Sequence, residues 1–273
     1  MVNLLITIFV QPLMNLLFLI YGVIPGHDFG VSVIIMTAII RFALWPLTAR
    51  QLHSQKKMQA LQPEIAKLKQ RAAGDKQKES QLLMELYKEK EISPFSACLP
   101  LLLQFPFLIA LYFVFQKSTH DVAAIGELLY TPIKNLPYIQ TVLQNPSDFN
   151  PTLFGLINMA KPSIFLAILA GITQFVQVKM LAPKVKDVTV KDPQAQATQM
   201  MNYLFPAFTV FIAWKLPAAL PLYWTVTNVI TISQQYLIMH GEVEEMEEVK
   251  IVKRNTPDNK PKQIAKKSKK GRR

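Results

Sequence analysis

One arginine stands where a charge is expensive. Arg41 lies inside the apolar run Phe29–Ala49, which holds no other charged residue. An arginine deep in hydrocarbon costs about 2.5–3.5 kcal/mol on insertion scales, so it calls for a partner. None of the long apolar runs of the chain carries an Asp or Glu. Three fates stay open. The side chain can snorkel, since six residues of helix place it about 9 Å from Leu47. It can bond to carbonyls or neutral polar side chains. Or it can face water in a cavity.

Neutral polar residues recur in the same runs. Thr37 precedes Arg41 by one helical turn and shares its face. Gln104 sits in a second run, and Thr173, Gln174 and Gln177 sit in a third. In the last run Trp224, Asn228, Thr231 and Gln235 follow at steps of four, three and four, which is one face of a helix. Each taken singly reads as a helix–helix hydrogen bond of about 0.6 kcal/mol. Together with an unpaired arginine they describe a wet interior.

Catalytic chemistry finds no such footing. The four histidines, His27, His53, His120 and His240, are scattered outside the apolar runs, and none pairs with a carboxylate at metal-ligand spacing. No glycine-rich phosphate loop occurs, and no Ser, His and Asp share a plausible face. Cys98 is the only cysteine, which excludes a disulfide framework or a cysteine metal site within one chain and reads as a small packing residue. No cofactor and no enzymatic activity are expected.

The elements that must position the polar residues follow from hydropathy. The 273 residues are 51% hydrophobic, and the charges sit in blocks that leave runs of about 20 apolar residues, long enough for a bilayer core. Residues 1–27 hold an apolar segment in which Asn3, Thr7, Gln11 and Asn15 recur every four residues. That stripe suits a helix lying in the interface, with a sixth span as the alternative. Pro12 would kink either, and Gly22, Pro25 and Gly26 end it. Span one falls within 28–49. Residues 50–93 read as a helical hairpin in water, with Leu61, Ile65 and Leu68 facing Leu82, Leu83, Leu86 and Tyr87 across a turn at Gly74–Asp75. Within 94–240 the remaining spans are Pro94–Gln116, Pro162–Val178, Met200–Trp214 (starting earlier, near Ala195) and Leu220–Met239. The loop 117–161 includes two candidate short helices, Val122–Tyr130 and Leu136–Leu143. Residues 241–273 read as a disordered, basic tail. The expected fold is therefore all-α, a polytopic membrane bundle of five spans with a helical hairpin on the cytoplasmic side.

Charge sets the orientation. Lys and Arg number ten in 50–93, four in the third loop and eleven from 240 onward, against three in 117–161 and one in 215–219. Cytoplasmic loops carry that excess, so the hairpin, the third loop and the C-terminus face the cytoplasm. Nothing at the start reads as a cleaved signal, because the first basic residue is Arg41. A bacterial inner-membrane chain is the expectation.

Four motifs, in order, carry a resemblance. They are Phe29-Gly-Val-Ser-Val-Ile-Ile-Met-Thr-Ala-Ile-Ile-Arg41 with Trp45-Pro-Leu-Thr-Ala-Arg-Gln51; Lys57-Met-Gln-Ala-Leu-Gln-Pro-Glu-Ile65; Glu85-Leu-Tyr-Lys with Ser93-Pro and Leu99-Pro-Leu-Leu-Leu-Gln-Phe-Pro106; and Leu216-Pro-Ala-Ala-Leu-Pro-Leu-Tyr-Trp-Thr-Val-Thr-Asn228 with Gln234-Gln235. Over about residues 29–240 the chain resembles the YidC/Oxa/Alb family of membrane protein insertases, in its short form without a large periplasmic domain. The resemblance implies a hydrophilic groove, open to cytoplasm and lipid and closed outside. It maps the groove arginine to Arg41, the threonine to Thr37, the groove glutamine to Gln177 or Gln174, and the last-span aromatic to Trp224 beside Tyr223. The implied partners are nascent membrane proteins, with the Sec translocon and a targeting receptor as further partners of the hairpin and the ribosome as a partner of the basic tail. The tail Lys260–Arg273 suits phosphate, whether of ribosomal RNA or of anionic lipid. Two other classes remain: a small transporter or channel, which should show inverted repeats that are absent from this sequence, and a structural assembly factor with a dry core.

Overall fold

The computed structural model describes residues 4, 6–90, 99–120, 125–181 and 193–255. Cys98 and the basic end Lys260–Arg273 lie outside them. The first segment forms a π-helical turn, Ile6–Val10, that leads into α1, Gln11–Val23. Pro12 is the second residue of α1, at the join with the π-helical turn, and the helical run Ile6–Val23 continues through it. The chain then turns through Pro25 and Gly26 (φ 79°) into α2, Phe29–Ala43. Asp28 caps α2 by accepting the Val31 N–H at 2.8 Å.

The helix α2 stops six residues short of the expected end of span one. Leu44 breaks it, and α3, Trp45–Ala60, leaves at a bend of 67°. Pro46 sits in the first turn of α3, where a proline favours a new start. Arg41 therefore lies in the last turn of α2 and not six residues from its end. There the carbonyls left free at a helix C-terminus favour a cation by about 0.3–1 kcal/mol.

The hairpin follows as α4, Gln62–Ala72, and α5, Lys76–Glu89. Its turn uses Ala73 and Gly74 at positive φ, and Asp75 caps α5 by accepting the N–H groups of Gln77 and Lys78. Leu61, Ile65 and Leu86 form a small buried core of their own, flanked by Leu68, Leu83 and Tyr87. Lys90 reaches Glu64 across the two arms at 3.4 Å, a partly exposed pair.

The helix α6, Leu99–His120, fills the place of span two. Of the two short helices expected in the next loop, the first lies partly outside the described residues, which show helix at Ile125 and a turn over 126–128. The second is observed as α8, Pro137–Gln144, preceded by the single turn α7, Thr131–Lys134. A two-stranded hairpin, β1 (Thr152–Leu153) and β2 (Ile157–Asn158), pairs Thr152 with Asn158 and Leu153 with Ile157. Gly30 of α2 lies so close to Leu153 that an added Cβ would meet its Cβ at 2.5 Å.

The helices α9, Ile164–Leu181, and α10, Pro193–Ala213, pack tightly on each other, with Gly171 facing Val210 and the Pro206 carbonyl. The last helix, α11, runs from Ala219 to Asn255. It continues through residues assigned above to a disordered tail. Five Glu and two Lys among the twelve residues 242–253 favour helix, and Pro257 follows two residues after the end.

Large apolar side chains are exposed along these helices, among them Phe165, Ile168 and Ile172 on α9 and Phe208 and Phe211 on α10. Phe105, Ile109 and Phe113 form such a stripe on α6 at steps of four. Patches of this extent do not face water in a monomeric soluble protein. Among the described residues Ile6–Val23 and the bent pair Phe29–Ala43 with Trp45–Met58 are long and apolar enough to cross a membrane, and Phe105–Ser118, Ile164–Met180 and Tyr203–Ala213 are shorter apolar helices. The architecture is an all-α membrane helix bundle.

Candidate functional site

Within residues 219–238 of α11 most polar side chains are buried. Thr225, Thr227, Asn228, Thr231, Gln234 and Gln235 are buried, while Val229 and Ser233 are exposed. Steps of 100° per residue put the first set on one side of the helix and the second on the other. A soluble helix is the reverse, apolar inside and polar outside.

The first part of this polar face is bonded. The Asn228 Nδ2 donates to Thr173 Oγ1 at 3.1 Å and to the Ala170 carbonyl at 3.3 Å, which ties α11 to α9. Thr225 and Thr231 donate to carbonyls one turn back, those of Pro221 and Thr227. Thr227, between Thr225 and Asn228, is an exception, and toward Gln234 the bonding stops. The Thr227 hydroxyl and all four carboxamide atoms of Gln234 and Gln235 are buried without a hydrogen-bond partner, and so is Gln55 Oε1 on α3. Each such group costs about 1–3 kcal/mol, and native proteins leave few of them.

Arg41 shares that condition. It is half-buried, and no hydrogen bond or ion pair reaches it among the described residues. It lies about 18 Å along α2 from Phe29, and Gln234 lies about 22 Å along α11 from Ala219. Both starting points belong to one region: Asp28 accepts the Phe154 N–H at 2.6 Å, and the Ala218 and Ala219 N–H groups donate to the Lys161 and Met159 carbonyls. Arg41 and the two glutamines are thus at similar distances from that region along their own helices.

Other expected site residues are placed variously. Thr37 is fully buried, but its hydroxyl is taken by the Val33 carbonyl. Gln174 and Gln177 are half-buried on α9, one residue and one turn beyond Thr173. Trp224 is half-buried against the main core. Tyr223 is part of that core, 1% exposed with its ring 6.0 Å from that of Phe107. Gln104 is helical in α6, and its side chain lies outside the described residues. The α9 glutamines and Arg41 are not joined by hydrogen bonds. Sequence reasoning missed Thr227 and Gln234 as members of the face, although the spacing Thr227, Thr231, Gln234 carried the same signal as the four residues singled out.

The region at the start of α2 and α11 is a cap, and α1 anchors it. Asn15 is buried, accepts the Tyr130 N–H at 2.6 Å and donates to the Leu128 and Gln11 carbonyls at 2.9 and 2.7 Å. The Tyr21 hydroxyl accepts the Asn150 N–H at 2.8 Å. Around it Phe18, Phe29, Tyr138 and Phe149 form an aromatic cluster, and His27 stacks on Tyr138 with ring centres 3.4 Å apart. Among the described residues no group of His, Cys, Asp or Glu has the arrangement of a metal site.

Residues 19–246 match the family described as 60Kd inner membrane protein. The chain is 36% identical over 231 residues to a protein of Haemophilus influenzae (strain PittEE) named membrane protein insertase YidC, covering 85% of this chain and 36% of that one. It is 37% identical over 232 residues to a protein of the same name from Actinobacillus succinogenes, covering 85% and 37%. This chain therefore spans little more than a third of the length of those relatives. A crystal structure of an active YidC insertase with its first transmembrane domain resolved shares the fold, with TM-score 0.51 and 22% identity over 77% of this chain and 42% of that one.

Proposed function

The chain belongs to the 60Kd inner membrane protein family, and from that premise we propose that it is a membrane protein insertase and chaperone. It takes nascent membrane proteins through a polar groove and releases them sideways into lipid. The observation that carries this reading is the buried polar face of α11, with unpaired groups and a half-buried Arg41, inside a bundle with an apolar exterior.

The energetics set what the groove has to do. A 20-residue apolar helix gains about 0.3–0.6 kcal/mol per residue on entering the bilayer. A polar tail crossing without partners loses several kcal/mol per unsatisfied group. A tail of a few residues would cancel the whole gain. Water and polar side chains along part of the path remove most of that cost, and Arg41 adds attraction for acidic residues. The apolar helix of the substrate slides meanwhile along spans two and five, where α6 exposes Phe105, Ile109 and Phe113 and α11 exposes Val229. Partition into lipid supplies the drive, so the reading needs neither a nucleotide nor a catalytic residue.

The topology in this reading has five spans, with hairpin and C-terminus in the cytoplasm and the loop 117–161 outside with the N-terminal segment. The cap at the start of α2 and α11 closes the outer end. The hairpin receives substrate or contacts the Sec translocon or a targeting receptor, and the basic end binds the RNA phosphate of the ribosome or anionic lipid. The test is insertion of a single-span substrate with an acidic tail into vesicles carrying the purified chain. Arg41→Glu should slow it at least tenfold while a neutral-tailed substrate is spared, since one favourable charge contact turned repulsive is worth more than about 1.4 kcal/mol. Equal rates for both proteins on the acidic substrate would remove Arg41 from the mechanism.

A further inference from the structure

Gln234 and Gln235 are 1% and 2% exposed, and neither carboxamide has a hydrogen-bond partner. They are adjacent residues in unbroken helix, so their own backbone groups are already paired within α11. The side chains carry no charge, which makes them poor hosts for an ion, a phosphate or an acidic tail. Each instead offers one carbonyl acceptor and one NH2 donor on a single plane. That is the complement of a peptide unit, which presents one donor and one acceptor and carries no net charge. A polypeptide crossing the inner half of a bilayer has the same shortage, because its backbone groups find no water there.

We propose that Gln234 and Gln235 form a subsite for the peptide backbone of the chain in transit. It is covered in the state described here and is uncovered when an incoming polypeptide displaces the side chains packed over it. The subsite rests on the insertase reading and adds a division of labour to it. Arg41 selects by charge, whereas the two amides accept any sequence, because they bind what all sequences share. The unpaired Thr227 hydroxyl, two turns before Gln234 on the same face, extends the subsite toward Asn228.

The test replaces both amides with a side chain of similar size that forms no such bonds, Gln234→Met with Gln235→Met, in the full chain reconstituted in phosphatidylethanolamine–phosphatidylglycerol vesicles. Two substrates are followed, one with an acidic tail and one with a neutral tail. The expected result is a thermal midpoint at or above that of the original protein, with both substrates inserted roughly five-fold more slowly per amide removed, the equivalent of one hydrogen bond of about 1 kcal/mol. Unchanged insertion of both substrates would overturn the subsite, as would a defect confined to the acidic one. If the double variant does not fold, a photo-crosslinking residue at position 234 in the otherwise original chain decides. A stalled substrate should be captured there, and capture at an exposed control position, 233, but not at 234 would contradict the proposal. An original protein that inserts neither substrate sinks the insertase reading itself. An original protein that inserts both, beside a Met variant that does so equally well, sinks only the subsite.

Discussion

At the cap, the carboxamide of Asn15 makes three hydrogen bonds and holds two backbone groups of the loop at Leu128 and Tyr130. On α11, Gln234 and Gln235 carry the same functional group at the same degree of burial and make none. The difference is not one of residue type or of depth below the surface. At the cap, polar groups meet loop backbone that has its own bonds to make, so each side satisfies the other. Along the far part of α11 none of the surrounding groups bonds to the amides. An amide among them finds little to bind and waits for something from outside. On the proposed function, the first region is a closed outer seal and the second a receptive inner groove.

The comparison can be broken first at the cap. Asn15→Leu leaves the Tyr130 N–H and Leu128 carbonyl buried without partners and should destabilise the bundle by about 3 kcal/mol, read as a lowered thermal midpoint. Asp28→Ala removes both the cap of α2 and the acceptor of the Phe154 N–H, for about 2 kcal/mol. Tyr21→Phe orphans the Asn150 N–H and should cost about 1 kcal/mol. Arg41→Gln, at the other end, should move the midpoint by no more than about 1 kcal/mol in equivalent stability, because only the pull of the carbonyls at the end of α2 is lost. A cap variant with no stability effect, or a large effect at Arg41, would erase the contrast between seal and groove.

Much of this was legible in the sequence. Hydropathy placed a helix at each expected span, and Gly74–Asp75 marked the hairpin turn that the structure uses. The early end of α2 was hidden because Phe42 to Leu47 stay apolar across the bend, so hydropathy runs on where the helix does not. Pro46 was the available clue. The polar stripe on α11 was visible from its spacing, but which members are satisfied was not. That depends on Thr173 of another helix meeting Asn228, and on nothing meeting Gln234. Asn15 read as one member of an interfacial stripe, since its partners lie 113 and 115 residues away. Thr37 and Tyr223 matched the resemblance in type and place, yet the structure commits the hydroxyl of one to its own helix and the ring of the other to the core.

On the proposed function the region around Arg41 is open to water from the hairpin side and the cap is sealed. In a chain with Cys98 changed to Ser, a single cysteine introduced as Arg41→Cys or as Asn15→Cys can be offered a membrane-impermeant maleimide from either side of sealed vesicles. The account predicts labelling of position 41 from the hairpin side alone and protection of position 15 from both sides. Protection of position 41 from both sides would mean a dry bundle and would contradict the groove.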